Sequence, residues 1–132
     1  MAENTVKAYG KGVRLAPRKV SLVASLVRGR SVADALVILQ NTPKRAAKPL
    51  AKVIASAKAN ALNNHGLQEK DLYISTLSVT AGERLKRYRP AAHGRALPFA
   101  RKTSNVLVVV TGTVKPKKKP EAKSKANVKE TK

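Results

Sequence analysis

Two strand-forming segments of this chain are separated by about two dozen residues that have little to bury. Leu72 to Thr80 alternates apolar and polar residues, and Asn105 to Val114 is rich in Val; both patterns are those of strands. If both flanks continue inward, the result is a hairpin of roughly a dozen residues per arm, projecting about 40 Å at about 3.3 Å per residue. Pro90, Gly94 and Pro98 cluster near its middle, as expected at a tip. An isolated two-stranded ribbon is marginal in water, so this one needs something to lie in.

The charge of that segment says what the something is. No Asp or Glu occurs between Arg84 and Pro120, a stretch holding Arg84, Lys86, Arg87, Arg89, Arg95, Arg101 and Lys102. Such a surface repels itself unless a polyanion neutralises it, and nucleic acid is the default polyanion. The net charge of the whole chain is +21. A soluble domain needs only about 2 to 8 charges for colloidal stability, so the excess reads as an interaction footprint. Arg predominates in 84–102, and its planar fork both grips phosphate and stacks on bases. Tyr88, between Arg87 and Arg89, is placed either to stack on an unpaired base or to pack on the opposite strand.

The 132-residue chain fits one domain and a tail. Val6 to Val13 is a short extended segment. Pro17 suits the first position of a helix whose apolar stripe is Val20, Val23, Ala24 and Val27, with Gly29 as its left-handed cap. Ser31 to Asp34 resembles a capping box and opens a second helix bearing Ala35, Leu36 and Leu39. Thr42-Pro43 ends it and starts a long Ala-rich third helix with Ala46, Ala47, Leu50, Ala51, Ile54, Ala57, Ala61 and Leu62 on its apolar side. Lys44, Lys48 and Lys52 share its outer face, and Asn63-Asn64-His65-Gly66 stops it. The fold class is α+β: about three helices on an antiparallel sheet with a protruding hairpin. The folded part spans 1–114, with the hairpin at about 80–108. Residues 115–132 are Lys, Pro, Ala and Glu with almost no large apolar side chain, a composition expected to form a disordered cationic tail.

Several functions are excluded. Zero Cys removes disulfides and thiolate metal sites and is compatible with the cytosol. His65 and His93 are far apart without co-ligands, so no metal site is expected. The carboxylates are scattered and no Gly-rich phosphate loop follows a strand, so neither an enzyme nor a bound cofactor is expected. Apolar runs fall far short of the roughly 20 residues of a membrane span, and the N-terminus has no signal-peptide stretch.

Spaced motifs carry a resemblance over about Val6 to Gly112. They are Arg14-Leu15-Ala16-Pro17-Arg18-Lys19-Val20, Arg28-Gly29-Arg30, and Ala57-Lys58-Ala59-Asn60-Ala61 with Asn63-Asn64-His65-Gly66. The most specific are Leu85-Lys86-Arg87, Arg89-Pro90, His93-Gly94-Arg95-Ala96 and Lys102-Thr103-Ser104. The chain resembles the large-subunit ribosomal protein L-twenty-two family of bacterial type. The resemblance implies a structural constituent of the large ribosomal subunit in the cytoplasm, a monomer there beside neighbouring ribosomal proteins. It implies binding of large-subunit ribosomal RNA, help in subunit assembly, and a hairpin lining the peptide exit tunnel. RNA would be held by Arg14, Arg18, Lys19, Arg28, Arg30, Arg84, Lys86, Arg87, Tyr88, Arg89, Arg95, Arg101, Lys102 and Thr103. The tip Arg89, Pro90, Ala91, Ala92, His93, Gly94 and Arg95 would face the nascent peptide. Ala92 and His93 stand where members often carry basic residues, and Asn105 where His is common. A different reading of the same basic ribbon is a free architectural DNA binder or RNA chaperone, although nothing in the sequence marks the dimer seam such binders use.

Overall fold

The computed structural model describes residues 4–113, so the Lys-rich segment 115–132 lies outside the described residues. Strand β1 (Asn4–Val13) is followed by helices α1 (Pro17–Ala24), α2 (Val32–Asn41) and α3 (Ala47–Asn63). Then come β2 (Tyr73–Pro90) and β3 (Ala96–Gly112). The three strands form one antiparallel sheet in the order β1-β3-β2. Helices cover one face of it, giving the expected α+β architecture.

Pro17 takes the start of α1, where its missing N–H would have had no helical partner in any case. The regular helix ends at Ala24, earlier than the apolar stripe suggests. The chain continues in tight turns that still bury Val27, and Gly29 adopts φ 69°. From there Arg28–Val32 runs along the outer edge of β2. The Gly29 amide donates to the Ile74 carbonyl at 3.1 Å, the Ile74 amide to Arg30 at 2.9 Å, and the Val32 amide to Leu72 at 3.0 Å. Part of an edge strand is thereby covered.

Ser31 caps α2: its hydroxyl accepts from the Asp34 amide at 3.1 Å and donates to the Asp34 carboxylate at 2.7 Å. The short acid is thus bound to the cap hydroxyl, where a longer Glu would reach back to the cap amide. Helix α3 begins at Ala47, after a turn in which the Ala47 amide bonds the Lys44 carbonyl at 2.9 Å. Pro49 therefore falls in the first turn, where no N–H is required and no kink results. Lys44 precedes the helix instead of lying on it.

The core is small and aliphatic. Val6 and Ala8 of β1, Ile74 and Leu77 of β2, and Val106, Val108 and Val110 of β3 line the covered face. Val20, Leu39, Leu50, Ile54 and Ala57 meet them from the helices. Full burial of a side chain such as Leu50 or Ile54 is worth about 1.5–3 kcal/mol. Val53 also reaches this core, against β1. A Cβ on Gly10 would come within 2.5 Å of Val53 Cγ2, so the bare backbone of Gly10 sets how closely α3 packs on β1. In β2 the alternation slips between Ile74 and Thr76, where a bulge leaves Ser75 facing outward; its hydroxyl donates to the Val109 carbonyl at 3.3 Å.

Candidate nucleic-acid interface

Beyond Ala81 and Ser104 the sheet loses β1 and continues as two strands alone. Seven paired positions run from Arg84↔Lys102 to Pro90↔Ala96. The free ribbon is therefore roughly 20–25 Å long at about 3.3 Å per residue. It is shorter than the 40 Å expected because β1 pairs with β3 as far as Ser104 and takes the root of each arm into the three-stranded sheet.

Both neighbours of β3 bulge at this root. The β1 register shifts between Gly10 and Val13, and the β2 register between Ala81 and Arg84. On the β1 side Gly12 adopts φ +68° and its amide donates to Asn105 Oδ1 at 2.9 Å. On the β2 side the Thr103 hydroxyl donates to the Glu83 carbonyl at 2.7 Å. Gly82 is required there, since a Cβ would lie 2.6 Å from Thr103 Oγ1. A run of three polar residues, Thr103, Ser104 and Asn105, thus sits at the change from sheet to ribbon.

Cross-strand pairing sorts the ribbon side chains into two faces. One carries Arg84, Lys86, Tyr88, Pro98, Ala100 and Lys102. The other carries Leu85, Arg87, Arg89, Leu97, Phe99 and Arg101. Every Lys and Arg of the ribbon is exposed. Tyr88 lies opposite Pro98 but remains 69% exposed, so its ring stays open to a partner. The Arg89 guanidinium sits 4.7 Å from the centroid of the Phe99 ring, a cation–π contact worth about 0.5–1 kcal/mol at an exposed site. That contact gives the Phe99 ring a packing partner on the facing arm. At the tip the Ala91 amide donates to the Arg95 carbonyl at 2.8 Å, and two successive residues, His93 (φ 58°) and Gly94 (φ 70°), take left-handed backbone.

At its root the ribbon closes one side of a cleft of about 650 Å³. Leu85, Arg87, Arg101, Lys102 and Thr103 line it from the ribbon. Arg14, Leu15, Ala16 and Lys19 line it from the β1–α1 connection and the start of α1, and Arg45 from the α2–α3 turn. Six cations converge here from four parts of the chain, with no carboxylate in the lining. Five of them, Arg14, Lys19, Arg87, Arg101 and Lys102, are among those singled out from sequence, as is Thr103. Arg45 is not: it lies in a turn, and no local pattern marks it.

The other predicted residues stand elsewhere. Arg18 borders a shallow groove with Leu22 and Val79 on the β2 side of α1. Arg28 donates through Nε to the Leu77 carbonyl at 2.9 Å, and Arg30 to the Leu26 carbonyl at 2.8 Å. Each of these two guanidiniums is thus partly used in shaping the turn after α1. Arg84, Lys86, Arg89 and Arg95 lie along the ribbon and its tip, outside the cleft.

Charge is separated along the sheet. Of the four carboxylates among the described residues, Asp34, Glu69 and Asp71 lie at the end where β2 begins. Asp34 is held by the α2 cap, Glu69 pairs with Lys58 at 2.5 Å, and Asp71 accepts from the Thr113 hydroxyl. Only Glu83 approaches the ribbon, and its side chain is exposed while its carbonyl holds Thr103. Among the described residues one end of the sheet is thus mixed in charge and the other is cationic. Among the described residues no helix is long and apolar enough to cross a membrane, and no group of three or more His, Asp or Glu could hold a metal ion.

Comparison with known proteins gives a consistent assignment. The family model for ribosomal protein L22p/L17e matches residues 8–111. The large ribosomal subunit protein uL22 of Lactobacillus gasseri is 50% identical over 113 residues, covering 84% of this chain and 97% of that protein. Its counterpart in Mesoplasma florum is 46% identical over 105 residues, covering 80% and 94% respectively. The matched span takes in both bulges, the cleft and the whole ribbon, and the chain belongs to the ribosomal protein L22p/L17e family, whose members are structural rather than catalytic proteins.

Proposed function

We propose that this chain is a cytoplasmic structural constituent of the large ribosomal subunit that binds its ribosomal RNA through the ribbon and the cleft at the ribbon's root. The observation that carries this reading is the geometry of the cations. A free two-stranded ribbon without a carboxylate beyond Glu83 leads into a six-cation cleft, while three of the four described carboxylates gather at the opposite end. Arg84, Lys86 and Lys102 share one ribbon face with the exposed ring of Tyr88, an arrangement able to follow a phosphate backbone and stack on an unpaired base. Inserted among RNA helices, the ribbon would hold RNA segments together during assembly, as a monomer beside neighbouring ribosomal proteins.

The tip from Arg89 to Arg95 then borders the peptide exit tunnel and meets the nascent chain. Arg89 and Arg95 would fix the tip on phosphates, and Pro90 to Gly94 would present a small, weakly charged wall. A paired measurement tests both halves of the reading. Ribosomes are assembled with a chain lacking Ala91 to Gly94 and with an Arg84→Ala, Lys86→Ala, Arg87→Ala chain. The deletion is expected to incorporate, because most cationic side chains remain, and to alter both arrest by stalling peptides and sensitivity to tunnel-binding macrolides. The triple substitution is expected to impair incorporation, because several charge-assisted contacts are lost together. Normal incorporation of the triple variant would contradict the RNA-docking role. A deletion that changes neither tunnel behaviour would contradict the tunnel role.

A further inference from the structure

We propose that the cleft at the root of the ribbon is a pocket for one unpaired RNA nucleotide swung out of its stack. Its phosphate would be held by the surrounding cations and its base laid against Leu15 and Leu85. The inference rests on the RNA-binding reading above and gives the cleft a ligand distinct from that of the ribbon.

Shape is the first argument. The phosphate ridge of a duplex is met by a row of cations on a convex surface, which the ribbon already supplies. The cleft is concave, and its volume of about 650 Å³ falls within the range of sites that enclose small ligands. Aliphatic side chains, Leu15, Ala16 and Leu85, stand among its cations. That combination suits a ligand with both a charge and a flat apolar face, which describes a nucleotide better than a phosphate alone.

The kind of cation is the second argument. Four of the six are Arg: Arg14, Arg45, Arg87 and Arg101. A guanidinium can stack on a base and fork onto a phosphate at the same time, whereas an ammonium acts as a point charge. Unpaired nucleotides are what sequence-reading RNA sites take hold of.

The third argument is fixity. Thr103, at the back of the cleft, is buried and bonded to Glu83 at 2.7 Å. The facing wall is tied by the Leu15 amide to the Val13 carbonyl at 2.7 Å and by the Lys19 and Val20 amides to Ala16 at 3.0 and 3.2 Å. With Thr103 and the facing wall set before binding, only the ribbon wall has still to be ordered by the ligand, which limits the freedom lost. The cleft therefore suits a first anchor, engaged before the ribbon settles.

The test uses the full chain and two RNA hairpins of equal length and charge. One is perfectly paired, and the other carries a single-nucleotide bulge of 2-aminopurine. The wild-type chain is expected to bind the bulged hairpin about ten-fold more tightly at the same salt, the scale of one base-stacking contact, with a change in 2-aminopurine fluorescence. Arg45→Ala and Leu15→Ser should each remove most of that preference, with thermal unfolding of each variant measured alongside. Lys52→Ala, on α3 outside the cleft, should weaken both hairpins alike. Equal binding of the two hairpins by wild type, with Arg45→Ala weakening both equally, would overturn the pocket while leaving RNA binding intact. Displacement of the bulged hairpin by micromolar adenosine monophosphate would make the cleft a small-molecule site and would also overturn it. Failure to bind either RNA at moderate salt would sink the RNA reading itself.

Discussion

The backbone amide of Gly12 donates a 2.9 Å hydrogen bond to Oδ1 of Asn105, a residue 93 positions further along the chain. The bond fastens the bulge of β1 to β3 at the level where the sheet gives way to the ribbon. Gly12 itself requires left-handed backbone at φ +68°. Removing the acceptor by Asn105→Ala leaves that amide to solvent alone, and one such bond is worth about 0.5–1.5 kcal/mol. Urea unfolding of the variant should show a stability loss of about 1 kcal/mol with the slope unchanged. An unaltered midpoint would mean that the bond does not hold the bulge.

On the other side of β3 the Gly82–Thr103 contact makes a sharper prediction. Gly82→Ala would push a methyl to within 2.6 Å of Thr103 Oγ1 and 3.3 Å of the Thr103 carbonyl carbon. The Thr103–Glu83 bond would have to break or the bulge to shift, and overpacking of this kind costs about 1–3 kcal/mol. Thr103→Ala removes the nearest clashing atom. The double variant is therefore expected to be less destabilised than the sum of the two single ones, a coupling that a double-mutant cycle in denaturant reads directly. Strict additivity would show that the two residues do not meet.

The tip depends on two consecutive left-handed residues. Gly94→Ala places a Cβ in that region and should destabilise the turn by roughly 1–2 kcal/mol. His93→Gly relieves the same strain and should be neutral or better in the turn. Chemical shifts and cross-strand contacts at the Pro90↔Ala96 pair report on both. Loss of that pairing in the His93→Gly chain would contradict this account of the turn.

Free protein should exchange the ribbon amides much faster than the sheet amides. Val106, Val108 and Val110 are fully buried between neighbours on both sides, while Arg84 to Ala100 has two strands and almost nothing packed on either face. Hydrogen exchange resolved by residue is expected to place 84–101 among the least protected pairs of the sheet. Strong protection of those residues without RNA would show that the ribbon is stable by itself.

Much of this structure is legible in the residues because local chemistry decides it. Pro17 opens a helix, Ser31 and Asp34 cap another, and a carboxylate-free run with little to bury makes a ribbon. What was not legible depends on residues distant in sequence. Arg45 joins Arg14 and Arg101 only through the packing of α3 and β1 against β3. The bulges at Gly12 and Gly82 arise where β3 must leave one neighbour and keep the other. The slip at Ser75 belongs to the pairing of β2 with β3, and the close approach at Gly10 belongs to Val53. His93, which no local pattern marks, joins Gly94 in left-handed backbone within the five-residue connection 91–95. The Phe99 ring finds its partner in Arg89, which stands on the facing strand.

The proposed docking is directional: the ribbon and its root would face RNA, and the end carrying Asp34, Glu69 and Asp71 would face it less. Photocrosslinking within isolated large subunits tests this most directly, with the reactive side chain placed in turn at Leu85, Tyr88, Leu97, Ala33 and Lys70. Residues 85, 88 and 97 are predicted to yield crosslinks to large-subunit RNA in high proportion, and 33 and 70 few or none. Dominant RNA crosslinks from 33 and 70, with the ribbon positions silent, would contradict the account.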